Sequence, residues 1–288
     1  MKTNKSSAFS QAAALTAASV ILQILLFVYR IIITRFSGAG GMGIYQLAAP
    51  YYSMIVSISL SGITMAVTRL TVEKNAVNDS SAVKTVVRKA LQLFLTLLAA
   101  SALVTFIFPD FIAGTILGNM QTKASMLLFI PCIFFTGFEN IYKSFFYGVK
   151  TVRPNVISDI TELSIRILAI FILLYMNQDS LTPEKTAFLI VLGMTISEIF
   201  SFTFLGLYYK YYNAGHNFKA QNPKSANILS DVARIAIPIS ASSILMTIIS
   251  SVNTILIPQR LQAAGMSGTQ AVETLGILMG MAFPAPVK

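Results

Sequence analysis

Seven stretches of the sequence are apolar for about twenty residues each, at approximately 12–36, 46–68, 90–108, 124–147, 156–176, 186–209 and 233–257, and an eighth begins near Thr274. A helix rises about 1.5 Å per residue, so about 20 apolar residues let it cross the roughly 30 Å hydrocarbon core of a bilayer. Lipid offers the backbone no hydrogen-bond partners, and a helix satisfies its own. Composition agrees: the chain of 288 residues is 55% hydrophobic and 11% charged, where a soluble domain carries about 25% charged residues. The expected fold is all-α integral membrane.

Charge is distributed unevenly between the loops. The segment 69–89 carries Arg69, Lys74, Lys84, Arg88 and Lys89, 148–155 carries Lys150 and Arg153, and 210–232 carries Lys210, Lys219 and Lys224. The alternate loops are nearly bare: Gly38-Ala39-Gly40-Gly41 has no basic residue, while 109–123 and 177–185 hold only Lys123 and Lys185. Lysine and arginine stay on the cytoplasmic side, which predicts a multi-pass protein of a plasma membrane with a cytoplasmic N-terminus. The formal net charge of +10 then reads as a topology signal and an attraction to anionic membrane lipids, with no nucleic-acid partner. The first run reaches Phe36, too long for a signal-peptide core of about 7–15 residues, and is read as an uncleaved span.

One cysteine, Cys132, and one histidine, His216, supply neither a disulfide nor a thiolate cluster nor Ser-His chemistry. Cys132 is read as a small buried hydrophobe and His216 as a solvated loop residue. No catalytic residue, resident metal or cofactor is expected, and the chain is not read as an enzyme.

Ionisable residues inside the apolar stretches carry the functional signal. A charge at the bilayer centre costs about 2.5–3.5 kcal/mol even on the lenient insertion scale, so such residues usually line a polar cavity. On the fifth stretch Asn155, Asp159, Glu162 and Arg166 recur at spacings that place them on one helical face. Glu162 and Arg166 are set to pair at i,i+4 with the acid first, the favourable order; a pair that only fixes helix packing is the plainer reading, and Asp159 stands against it as a further charge. The fourth stretch carries Glu139 and Lys143, the lysine within snorkelling reach of the cytoplasmic interface. Arg30, in the first stretch, either snorkels outward or faces a central cavity with Arg166; the cavity reading is adopted, and Arg35 is read as an interfacial anchor.

Hydroxyl and small residues fill the second and seventh stretches, among them Ser57, Ser61, Gly62, Ser240, Ser243 and Thr247, and such residues permit close helix approach and cross-helix hydrogen bonds. Pro50, Pro131 and Pro238 are candidate helix interruptions, and the tyrosines Tyr51, Tyr52, Tyr208, Tyr209, Tyr211 and Tyr212 a candidate interfacial belt. The end of the first stretch, Ile32-Ile33-Thr34-Arg35 through Gly40, is echoed by Ile257-Pro258-Gln259-Arg260 through Gly265. Taken as a repeat of about 225 residues, this implies two six-helix lobes in parallel, a layout found among secondary transporters. The boundaries that follow are 1–210 for an N-terminal six-helix lobe, 211–232 for a cytoplasmic linker and 233–288 for an incomplete second lobe holding its first one to two helices. The chain is then expected to be truncated.

Several runs carry a family resemblance: Phe27-Val28-Tyr29-Arg30 through Arg35, Gly38 through Leu47, Ser61-Gly62-Ile63 through Leu70, Phe145-Phe146-Tyr147-Gly148 before Arg153-Pro154, Ile157-Ser158 through Arg166, and Ile237-Pro238-Ile239 through Leu261. Together they resemble the polysaccharide and lipid-linked oligosaccharide flippases of the multidrug/oligosaccharidyl-lipid/polysaccharide exporter superfamily, most nearly the stage V sporulation protein B group. Thr64 stands where that group usually has proline, Lys143 where it has arginine, and Asn253 where aspartate is frequent. The resemblance implies a two-lobe transporter with a central cavity opening alternately to each side. It implies as substrate a lipid-pyrophosphate-linked oligosaccharide, such as a peptidoglycan precursor for the cell wall, moved from inner to outer leaflet. Arg30, Arg166 and Lys143 would then hold the pyrophosphate, since guanidinium groups offer forked donors and stay charged when partly desolvated. Asp159, Glu162 and Glu139 would balance those charges or carry a coupling cation. A cation-coupled multidrug exporter of the same fold and a membrane-embedded glycan polymerase or glycosyltransferase are the alternatives; the first lacks an acid on the first stretch, the second a sizeable loop with catalytic groups.

Overall fold

The apolar stretches are helical, but the second, 46–68, is divided at Leu60 between the end of one helix and the start of the next. The computed structural model describes residues 5–77, 79–215 and 228–282, with side chains within them from Thr16 to Ala214 and from Ile228 to Gly280. His216, Lys219, Lys224 and most of the expected linker lie outside the described residues. The helices are α1 (Lys5–Ser59), α2 (Ser61–Ala76), α3 (Ser80–Ile107), α4 (Lys123–Gly148), α5 (Arg153–Met176), α6 (Pro183–Gly215), α7 (Ile228–Ala263) and α8 (Gly268–Leu275), the last running on into a π-helical turn, Gly276–Ala282. Among the described residues all regular structure is helical.

By length and composition, Thr16–Ala76, Ser80–Ile107, Met120–Gly148, Pro183–Ala214 and Ile228–Ala263 are long and apolar enough to cross a membrane. The first of these holds two of the expected stretches. The expected loop Gly38–Gly41 shrinks to one residue: Gly38 alone leaves the helical region, at φ 62° and ψ 173°, a conformation nearly confined to glycine, and the helix resumes at Ala39. Ile33 and Met42, on either side of the bend, share one buried cluster with Ile170, Leu174, Leu189 and Ile190. The fifth stretch, α5, spans 24 residues, roughly 36 Å of helix, but carries Asp159, Glu162 and Arg166 within its apolar sequence.

Local sequence marks several helix ends. Asp79 caps α3 by accepting from the Ala82 amide at 2.9 Å, and Ser267 with Gln270 forms a reciprocal capping box on α8. Pro50, Pro131 and Pro238, expected as interruptions, lie inside continuous helices. The eighth helix starts at Gly268, earlier than the expected Thr274.

Packing is densest where α6 lies against α4 and α5, and α7 lies along α2. The largest buried cluster joins α1, α2, α3, α4, α6 and α7 through side chains such as Ile63, Val86, Phe94, Phe129, Phe145 and Val232. The hydroxyl-rich faces of the second and seventh stretches meet each other. Ser57 and Thr247 share a hydrogen bond of 2.6 Å, Ser243 donates to Ser57 at 3.3 Å, and the Gly62 amide donates to Ser240 Oγ at 3.2 Å. A Cβ on Gly62 would collide with the Ala236 carbonyl, so this glycine sets how closely α2 and α7 approach. The tyrosines divide: Tyr208, Tyr209 and Tyr212 stack edge-on against Phe145 and Phe146, whereas Tyr211 is exposed. At the end of the bundle away from the basic loops, Lys123 pairs with Asp110 at 2.5 Å, which leaves that end with still less uncompensated positive charge.

Candidate functional site

The 4–3–4 spacing on α5 faces the polar residues of α4 and α6. Lys143 is not a simple interfacial anchor: its Nζ contacts Glu139 one turn earlier on α4, and reaches Asp159 at 2.6 Å and Glu162 at 3.4 Å on α5. The Glu162–Arg166 pair forms as expected. Arg166 Nη2 also reaches Glu198 of α6 at 3.1 Å, and its Nε donates to Ser197 Oγ at 3.1 Å. A hydroxyl chain continues the network: Ser201 donates to Glu139 Oε1 at 2.6 Å and shares a 2.5 Å hydrogen bond with Ser158. Asn155 Nδ2 donates to the Lys143 carbonyl at 3.0 Å, tying the start of α5 to the end of α4.

Depth and charge define what this cluster can do. Along α5, Glu162 and Arg166 lie roughly 13 and 20 Å from the helix start, and Glu139 lies about the same 13 Å from the end of α4. Glu139 is 1% exposed and Glu198 4%, so both are shielded from solvent. Four carboxylates (Glu139, Asp159, Glu162, Glu198) face two cations (Lys143, Arg166), a formal excess of two negative charges. Glu139, Glu162 and Glu198 each place a carboxylate oxygen within 4.8 Å of the other two. Glu198 Oε2 is buried with no hydrogen-bond partner. Like charges this close repel strongly where the dielectric is low, and a bound cation, whether proton or metal ion, relieves the repulsion. The arrangement is suited to taking up and releasing a cation. The expectation that Arg166 and Lys143 stand ready for a pyrophosphate meets a different geometry: each is already engaged by carboxylates, because α4, α5 and α6 converge on them.

The sequence matches the family described as Polysaccharide biosynthesis protein over residues 9–284. The chain belongs to that family. It is 23% identical over 273 residues to the Stage V sporulation protein B of Bacillus subtilis (strain 168), a match covering 93% of this chain and 52% of the relative. It is likewise 23% identical over 285 residues to the Sporulation protein YkvU of the same organism, covering 94% and 60%. The chain thus spans about half the length of the curated relatives it matches. Its fold superposes on an inward-facing multidrug resistance MATE family transporter of the MOP superfamily with a TM-score of 0.65 at 15% identity, covering 90% of this chain and 60% of that one. A MATE transporter in complex with Br-NRF gives 0.52 at 16% identity, covering 91% and 68%. The polysaccharide biosynthesis family chain described here is therefore a multi-pass membrane protein with a transporter fold.

Within that fold Arg30 stands apart from the cluster. It is half-buried on α1, Thr34 donates to its carbonyl at 2.9 Å, and among the described residues its guanidinium makes no ion pair. The structure does not join Arg30 and Arg166 in one ion-paired site. Arg35 is exposed, in keeping with an anchor, and Cys132 is fully buried. Sequence reasoning missed Glu198 together with Ser197 and Ser201. The available signal was a carboxylate in the sixth apolar stretch with a serine just before it and another three residues on.

Proposed function

We propose that this chain is the N-terminal part of a flippase that carries a lipid-pyrophosphate-linked oligosaccharide from the inner to the outer leaflet by alternating access. Residues 1–210 form one lobe, 211–232 the linker and 233–288 the opening of a second lobe that rocks against the first. The protein resides in a bacterial plasma membrane with its N-terminus cytoplasmic, as the basic loops 69–89 and 148–155 favour. Family membership favours a polysaccharide-related cargo and a role other than an enzyme's.

The carrying observation is the carboxylate-rich cluster buried between α4, α5 and α6. Glu139, Glu162 and Asp159, joined by Glu198, take a coupling cation. Its uptake offsets the negative excess, which frees Lys143 and Arg166 to attract an anion; Arg30, without an acidic partner among the described residues, is the standing pyrophosphate ligand. A membrane potential contributes about 2.3 kcal/mol per charge per 100 mV to moving that cation.

The test is translocation of a lipid-linked oligosaccharide in proteoliposomes holding the full protein. Arg30→Ala and Arg166→Ala are expected to lower the rate by about tenfold or more each, the scale of one lost charge-assisted hydrogen bond. Unchanged rates in both would remove the anion-binding role. A cation-coupled multidrug exporter is the second reading, favoured by the same acidic excess; resistance to cationic drugs that depends on Glu198, with no lipid translocation, would select it.

A further inference from the structure

A cavity lies away from the charged cluster, at the end of the bundle opposite the basic loops. It is an open cleft of about 440 Å³ between α1, the turn 117–121, the start of α6, α7 and α8, within the roughly 300–1,000 Å³ typical of small-molecule sites. Its polar lining is Asn119, Gln121, Gln259, Gln262, Thr269 and Glu273, and among the described residues no lysine or arginine lines it. The amides come from distant parts of the sequence: two from the turn before α4, two from one face of α7 at i,i+3.

The chemistry of that lining is selective. A primary amide offers both donors and acceptors, which matches a sugar hydroxyl that is itself both. Asn119 is oriented by accepting from the Gln121 amide nitrogen at 2.9 Å, which leaves its own NH₂ free to donate. The side-chain amides of Gln121, Gln259 and Gln262 make no hydrogen bond among the described residues and are exposed to the chamber. With one carboxylate and no cation among the described residues, the lining disfavours a phosphate. Pro183 and Val272 supply apolar patches against which the C–H face of a ring can rest.

We propose that this chamber binds uncharged sugar residues, the glycan end of the lipid-linked substrate; the inference rests on the substrate reading given above. The pyrophosphate end is left to Arg30 with Lys143 and Arg166, so the two ends of the cargo are read by separate, chemically distinct groups.

Cys132 is buried and is the single cysteine, so Gly268→Cys, at a lining position with open space for a side chain, introduces the one accessible thiol. Maleimide labelling of the purified full chain is measured with three probes: an N-acetylhexosamine disaccharide, inorganic pyrophosphate and tetraethylammonium. The disaccharide is expected to slow labelling about tenfold, the other two to leave it unchanged, and Gln121→Leu with Gln259→Leu to abolish the protection. Should that combined variant fail to fold, Gln259→Leu alone makes the same comparison at an exposed position. Absence of protection by the disaccharide, equal protection by pyrophosphate or tetraethylammonium, or protection that survives the leucines would overturn the proposal. Disaccharide protection in a protein that does not translocate the lipid-linked sugar would keep the chamber and remove the substrate reading; translocation without protection would do the reverse.

Discussion

Arg166 is held by carboxylates from two helices, Glu162 of its own and Glu198 of α6. Truncating one member of a buried charge network strands its partners, at a cost of about 3–5 kcal/mol. Arg166→Ala is therefore expected to lower the thermal midpoint in detergent, and adding Glu198→Gln to recover part of the loss by removing one stranded charge. Glu198→Gln alone keeps the shape of the site and lowers its negative excess by one. Its expected signature is a weakened dependence of transport on the cation gradient at unchanged membrane level, read by varying the gradient across proteoliposomes. At this scale the α5 stripe was legible because a helix repeats its face every three to four residues. Glu198 showed only as a carboxylate in an apolar stretch, because its charged partner sits on another helix and the spacing along α6 does not identify it.

The existence of the helices was legible, since twenty apolar residues in lipid have few other options, although α3 starts at Ser80, well before the expected 90, and the stretch 46–68 is split at Leu60. Their joints were not. The expected Gly38–Gly41 loop is a one-residue bend in a helix assigned from Lys5 to Ser59, because only the residue with the glycine-restricted conformation must leave the helix. Gly38→Ala is expected to cost about 1–3 kcal/mol, seen as a lower thermal midpoint. The α2–α7 seam depends on close approach at Gly62 more than on its hydroxyls. Ser57→Ala is expected to cost only about 0.6 kcal/mol, the average for a cross-helix hydrogen bond in a membrane. Gly62→Leu is expected to drive the helices apart, which spin-label distances between α2 and α7 would register as a widening.

For the molecule as a whole, the alternation of basic loops makes a directional prediction. Ser180→Cys, in the turn before α6, is expected to react with a membrane-impermeant maleimide added outside intact cells, and Lys150→Cys, between α4 and α5, only after permeabilisation. The reverse result would invert the orientation. Hydrophobic length and loop charge, each a property of contiguous sequence, determined by themselves the helical class, the approximate position of most helices and the expected orientation. Tertiary structure alone decided which charges neutralise one another, that the buried cluster carries more acid than base, and that amides more than a hundred residues apart line one cleft. The physical reason is that periodicity reports which face of a helix a residue occupies, whereas the helix that meets that face is chosen by packing among all of them.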